Sequence, residues 1–183
     1  GMTDRLIIRC GLEELGLPVT EASIDAILAN YLEFLKEEVL QAERYLIHPG
    51  MQEALDMLRG KQGVALGLGT GNVEAGARLK LERVALNGYF DFGGFGCDAE
   101  DRNELILAGA KRGAKLLGRE LSDCRVLVIG DTPRDIEAAR AMGGECIAVA
   151  TGGASYESLA ACEPDWLFQD LTQDGAIDAL LGN

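Results

Sequence analysis

The fold can be read from Arg125-Val126-Leu127-Val128-Ile129-Gly130-Asp131-Thr132-Pro133-Arg134-Asp135. A short apolar run ends at Gly130-Asp131 and passes directly into a helix start, with Thr132 suited to the N-cap and Pro133 to the first turn. Runs that are apolar on both faces mark strands buried on both sides, as in parallel sheets covered by helices. Open α/β sheets bind ligands beyond the C-terminal ends of their strands, which is where Asp131 and Asp135 fall. Two convergent carboxylates at such a place suit a hard cation held through oxygen, most simply magnesium that keeps several of its waters. The bland alternative is that Asp131 ends a strand and Asp135 favours the first turn of a helix.

Moving outward, residues 64–68, 146–150 and 166–168 repeat the short apolar texture. Helical pattern fills residues 51–58, 73–86, 103–117 and 133–142. The fold expected is therefore α/β, a Rossmann-like parallel sheet covered by helices. The glycine cluster Gly93, Gly94 and Gly96 reads as a loop or irregular edge. Before His48-Pro49-Gly50, a turn or hinge, the pattern changes to two helices with no strand between them. Thr3 caps the first, and Thr20 caps a second whose apolar stripe runs from Ile24 to Leu46 at three- and four-residue steps. This divides the chain into a helical unit over residues 1–48 and an α/β unit over residues 49–183.

A second candidate for chemistry is the turn after residues 64–68. The Thr70 hydroxyl with the backbone N–H groups of Gly71 and Asn72 at a helix start would cradle a phosphate. Gly67, Gly69, Gly71 and Gly76 equally allow a nucleotide- or methyl-donor-binding turn. A plain tight turn capped by Asn72 is the structural alternative. The third candidate is Arg102, whose fork of donors at a helix start could hold two phosphoryl oxygens. Lys111 and Arg112 lie nearby in sequence and leave the choice of cation open.

Composition narrows the partners. The 183 residues carry a formal charge of -13 with a pI near 4.5, and nothing forms the basic stripe a nucleic acid needs. Cys10, Cys97, Cys124, Cys146 and Cys162 are scattered, with no CxxC pair and a single histidine, His48. A zinc site is not expected, and reduced thiols in a cytoplasm are. No apolar run approaches the roughly 20 residues of a membrane span. Gly1 ahead of Met2 reads either as a remnant of tag cleavage or as native sequence.

With these residues in place, the order of elements resembles the haloacid dehalogenase-like superfamily, in particular its phosphoglycolate phosphatase-like branch. Thr70 matches the hydroxyl of the second motif, Arg102 the basic residue of the third, and Gly130-Asp131 with Asp135 the acidic fourth. The resemblance implies a helical cap before Pro49. It also implies a magnesium-dependent phosphatase acting on a small phosphorylated metabolite through an aspartyl-phosphate, with Asp131 and Asp135 on the metal and Thr70, Gly71, Asn72 and Arg102 on the phosphoryl group.

Members of that superfamily also carry an Asp-x-Asp first motif on a central strand, and these 183 residues contain no Asp-x-Asp. Asp98-Ala99-Glu100 and Asp170-Leu171-Thr172 do not fit its place. The expectation is a truncated chain, inactive as it stands, with two unpaired sheet edges that a dimer could cover. The alternatives are a noncatalytic phosphate- and metal-binding regulatory module, and a nucleotide- or methyl-donor-binding enzyme.

Overall fold

A computed structural model describes residues 2–182, so Gly1 and Asn183 lie outside it. The two leading helices form as the sequence implies. Helix α1 (Asp4–Glu14) is capped by Thr3, whose hydroxyl accepts from Leu6 N at 3.3 Å. Helix α2 (Glu21–Gln41) starts in a reciprocal capping box between Thr20 and Ser23. It stops short of Leu46, which is 81% exposed. Arg83 donates to Leu40 O and Ala42 O, taking up carbonyls that a further turn would have used. Leu12, Ile24 and Leu28 bury their stripes against Val73, so the hairpin rests on the α/β part of the chain.

Gly50, at φ +78, turns the chain into α3 (Met51–Leu58). A Cβ there would also meet Leu171 C at 2.4 Å, so glycine is required twice over. Strand β1 (Gly67–Thr70) begins three residues later than the apolar run, because Val64 N still bonds Lys61 O in a turn. Helix α4 (Glu74–Glu82) follows.

Of the glycine cluster, Gly93 and Gly94 lie in a strand and Gly96 in the turn after it. Phe92–Phe95 form β2, parallel to β1 in the register Gly67↔Phe92 to Thr70↔Phe95. Glycine is present because helix α5 (Arg102–Leu116) lies on the strand backbone. A Cβ on Gly94 would sit 1.8 Å from Leu105 O, and one on Gly109 would sit 2.8 Å from Gly94 N.

The rest is three parallel strands with their helices: β3 (Leu127–Gly130), α6 (Pro133–Ala141), β4 (Glu145–Val149), α7 (Tyr156–Ala160), β5 (Trp166–Phe168) and α8 (Ala176–Leu181). The order is β3-β4-β5. In β4, Ile147 and Val149 join one core with Phe168 and Ala176, while Cys146 and Ala148 join another with Ile136 and Leu159. Burial on both faces explains the unbroken apolar run. Among the described residues β1 and β3 are not paired, so the parallel strands form two sheets that present unpaired edges. No described helix is long and apolar enough to cross a membrane.

Candidate active site

The residues singled out by sequence converge. Thr70, Gly71, Asn72, Arg102, Asp131 and Asp135 line one cleft of about 330 Å³, together with Met2 and Thr132. Strand β1 delivers Thr70 at its last position, β3 ends immediately before Asp131, and α5 begins with Arg102. Three C-terminal strand ends and helix starts thus face the same space, as parallel α/β architecture dictates.

The fourth-motif turn is built around Asp135, which is only 2% exposed. Thr132 and Asp135 form a capping box, in which Asp135 Oδ2 accepts from Thr132 N at 3.1 Å and from its hydroxyl at 2.8 Å. Asp135 Oδ1 accepts from Arg102 Nη2 at 2.5 Å and Nε at 3.1 Å. A buried carboxylate requires such a partner, since desolvation of an unpaired charge would exceed any packing gain. Arg102 is therefore committed to Asp135 at one edge of its guanidinium while still lining the cleft. Asp131 differs, because no described residue donates a hydrogen bond to its carboxylate. It packs against the loop after β4, where a Cβ on Gly152 would lie 1.6 Å from Asp131 Oδ2.

On the opposite wall, Asn72 N donates to Thr70 Oγ1 at 3.2 Å. Asn72 Nδ2 and Val73 N donate to the two oxygens of Asp4 at 2.9 and 2.8 Å, and Lys80 Nζ donates to Asn72 Oδ1 at 3.0 Å. Asp4 and Lys80 were not legible as site neighbours, since nothing local in the sequence ties residue 4 to residue 72. Thr132 was legible as a cap, through its spacing of three from Asp135.

The other candidate cations and acids do not line the cleft. Arg112 holds Asp98 through two contacts of 2.6 Å and donates to Gly93 O, and Lys111 is exposed. Arg9 holds Glu100, and Asp170 accepts from Thr172 in a turn. Arg102 is the arginine that reaches the cleft among the described residues.

The sequence model of one family, described as "Hydrolase: haloacid dehalogenase-like hydrolase", matches residues 5–143. "Probable phosphatase IndB" of Dickeya dadantii is 31% identical over 172 residues, covering 91% of this chain and 71% of that protein. The chain belongs to the haloacid dehalogenase-like hydrolases.

The phosphoglycolate phosphatase of Synechococcus elongatus is 31% identical over 124 residues, which span 67% of this chain and 55% of that relative. Family and relatives agree with the resemblance carried by Thr70, Arg102 and the Asp131–Asp135 turn, including its phosphoglycolate phosphatase-like branch. The fold is shared with solved structures such as a hydrolase from Pseudomonas syringae, at a TM-score of 0.67 and 22% identity over 94% of this chain and 77% of that one.

A haloacid dehalogenase-like hydrolase of this branch uses a hard divalent cation, and the donors present suit one. Asp131 offers an open carboxylate at the strand end, and Asp135 stands beside it within the same turn. Asp135 already receives four hydrogen bonds from Arg102 and Thr132, which fix its orientation and leave Asp131 the freer donor. Outside the cleft, burial pushes the Cys146 thiol up to about 12, with Asp135 and Asp165 adding to the effect. Cys146 is a packing residue.

Proposed function

We propose that this cleft binds the phosphoryl group of a small phosphate monoester together with magnesium, as the substrate site of a phosphatase-type hydrolase. The observation that carries the reading is the convergence of Thr70, Arg102, Asp131 and Asp135 on one cleft from three segments far apart in sequence. In this reading Asp131 and Asp135 supply the acidic pair for the metal, whose chemistry is to neutralise phosphoryl oxygens. The Thr70 hydroxyl and the Gly71-Asn72 turn hold the phosphoryl group on one side. Arg102, kept in place by Asp135, faces it from the other. Five free thiols fit a reducing cytoplasm as its compartment.

The reaction that the family resemblance implies begins with attack by an aspartate on phosphorus, so that one hard step becomes two through an aspartyl-phosphate. The carboxylates lining the cleft among the described residues are Asp131 and Asp135, the pair assigned to the metal. We therefore propose that these 183 residues bind phosphate but turn over negligibly. Hydrolysis of p-nitrophenyl phosphate should be near background with magnesium. It should rise sharply when an upstream apolar strand ending in Asp-x-Asp is joined to the chain. Robust turnover by the 183-residue chain would refute the proposal.

A noncatalytic phosphate- and metal-binding regulatory module is the second reading, favoured by a cleft that among the described residues has oxyanion donors and no carboxylate beyond Asp131 and Asp135. It predicts magnesium-dependent binding of phosphate analogues, with no gain of turnover on such an extension. A nucleotide- or methyl-donor turn is less well served, because Asp4 already takes Val73 N and the Asn72 amide. That reading predicts ligand binding indifferent to Asp131→Asn, whereas the phosphatase reading predicts loss of metal binding.

A further inference from the structure

Helix α1 is tied to both walls of the cleft. At its first residue, Asp4 N donates to Gly71 O at 2.8 Å while its carboxylate accepts from Val73 N and Asn72 Nδ2. The three residues that follow Thr70 thus each have a partner on Asp4. Lys80 secures the far side of the Asn72 amide. The backbones are in direct contact, for a Cβ on Gly71 would meet Met2 O at 2.6 Å and one on Gly96 would meet Gly71 O at 2.0 Å. Thr3, 1% exposed, fills the space between them. Further along α1, Arg9 binds Glu100 through Nε and Nη2 at 2.8 to 3.2 Å, two residues before Arg102.

A Gly-Asn turn left to itself samples several backbone conformations, and its N–H groups would face an anion only part of the time. Bonds to an ionised carboxylate are among the stronger ones available to restrict it. We propose that Asp4 is a positioning residue for the phosphoryl-binding turn, holding Gly71, Asn72 and Val73 so that the Thr70 hydroxyl and the adjoining backbone stay aimed into the cleft. The Arg9–Glu100 pair is the matching tie on the Arg102 side. The proposal rests on the phosphoryl reading of the cleft given above.

Charge gives this idea a sign that simple electrostatics does not share. A carboxylate near an anion site repels the anion, so its removal should by Coulomb's law alone tighten phosphate binding. A positioning role requires the opposite.

The experiment is calorimetric titration of the 183-residue chain with orthovanadate in the presence of magnesium, for the unmodified protein, Asp4→Ala, Asp4→Asn and Thr70→Val. It is paired with amide hydrogen exchange at Asn72 and Val73. Asp4→Ala should weaken orthovanadate about five- to tenfold, as expected for loss of charge-assisted hydrogen bonds, and should speed exchange at Val73. Asp4→Asn, which keeps the side-chain shape and serves if the alanine variant does not fold, should show a smaller change of the same sign. Unchanged or tighter binding in the Asp4 variants, with Thr70→Val weakened, overturns the role of Asp4 alone. A lowered thermal midpoint with unaltered affinity of the folded protein also overturns it, because that is what a purely structural residue would give. If Thr70→Val binds orthovanadate like the unmodified chain, the phosphoryl reading itself falls and the positioning role falls with it.

Discussion

Asp135 is the residue on which the site's geometry depends, and its partner can be tested. The Arg102 and Asp135 side chains are 17% and 3% exposed, so the pair lies largely out of solvent. Arg102→Ala leaves a buried carboxylate without its cation and should destabilise the fold by about 3 to 5 kcal/mol, measured by urea unfolding. Arg102→Met, which fills similar space, should not rescue stability unless Asp135→Asn accompanies it. A second test concerns acid. Arg112 holds the Asp98 carboxyl below its ordinary value of 3.8, with Phe95 N assisting. A depressed native value means stability that is fully present above pH 3.8 and lost as pH falls through the lower native value. Arg112→Ala should flatten that acid limb of a stability-against-pH curve by lowering stability at neutral pH, where the contribution is present, while leaving the most acid end little changed. A third concerns thiols: Cys10 and Cys97 are exposed and should react with a disulfide reagent at pH 8, while Cys146 should react only on unfolding.

Among secondary-structure elements, β2 and α5 show where sequence pattern stops being informative. The runs at 126–129 and 166–168 and the helices at 51–58 and 133–142 were legible because their apolar spacing directly reflects what they bury. Phe92–Phe95 was not, because two of its four residues are glycine and glycine carries no hydrophobic signal. What it records is the close passage of another backbone, visible only once α5 is in place. Gly94→Ala should therefore displace α5 from β2 and destabilise the protein by about 1 to 3 kcal/mol or more, read as a fall in thermal midpoint. The site residues were legible for a related reason. Thr70, Asp131 and Asp135 sit at strand ends and helix starts that local pattern can locate, whereas Asp4 meets Asn72 only through the packing of α1 on the core. Ile147, fully buried in β4, gives the reference value for the core: Ile147→Ala should lose about 2 to 5 kcal/mol in the same assay.

For the molecule as a whole, the parallel strands lie in two sheets among the described residues, which present the two unpaired edges expected from the sequence. Amide exchange should register this, slow along β4 where both edges are paired and faster along the unpaired edges of β1 and β3. Helix α5 touches β1 and β2 on one side and α6 on the other, so it spans the division between the sheets. Its two attachments are unlike. Toward β2 the contact is backbone on backbone, with Gly109 against Gly94. Toward α6 it is a layer of side chains, Leu105 and Ile106 against Ala138. Under mechanical load the side-chain layer has no interlocked backbone to resist shear. Stretched between its termini in an optical trap, the protein should part first along the α5–α6 seam and release the β3–β5 half as one block.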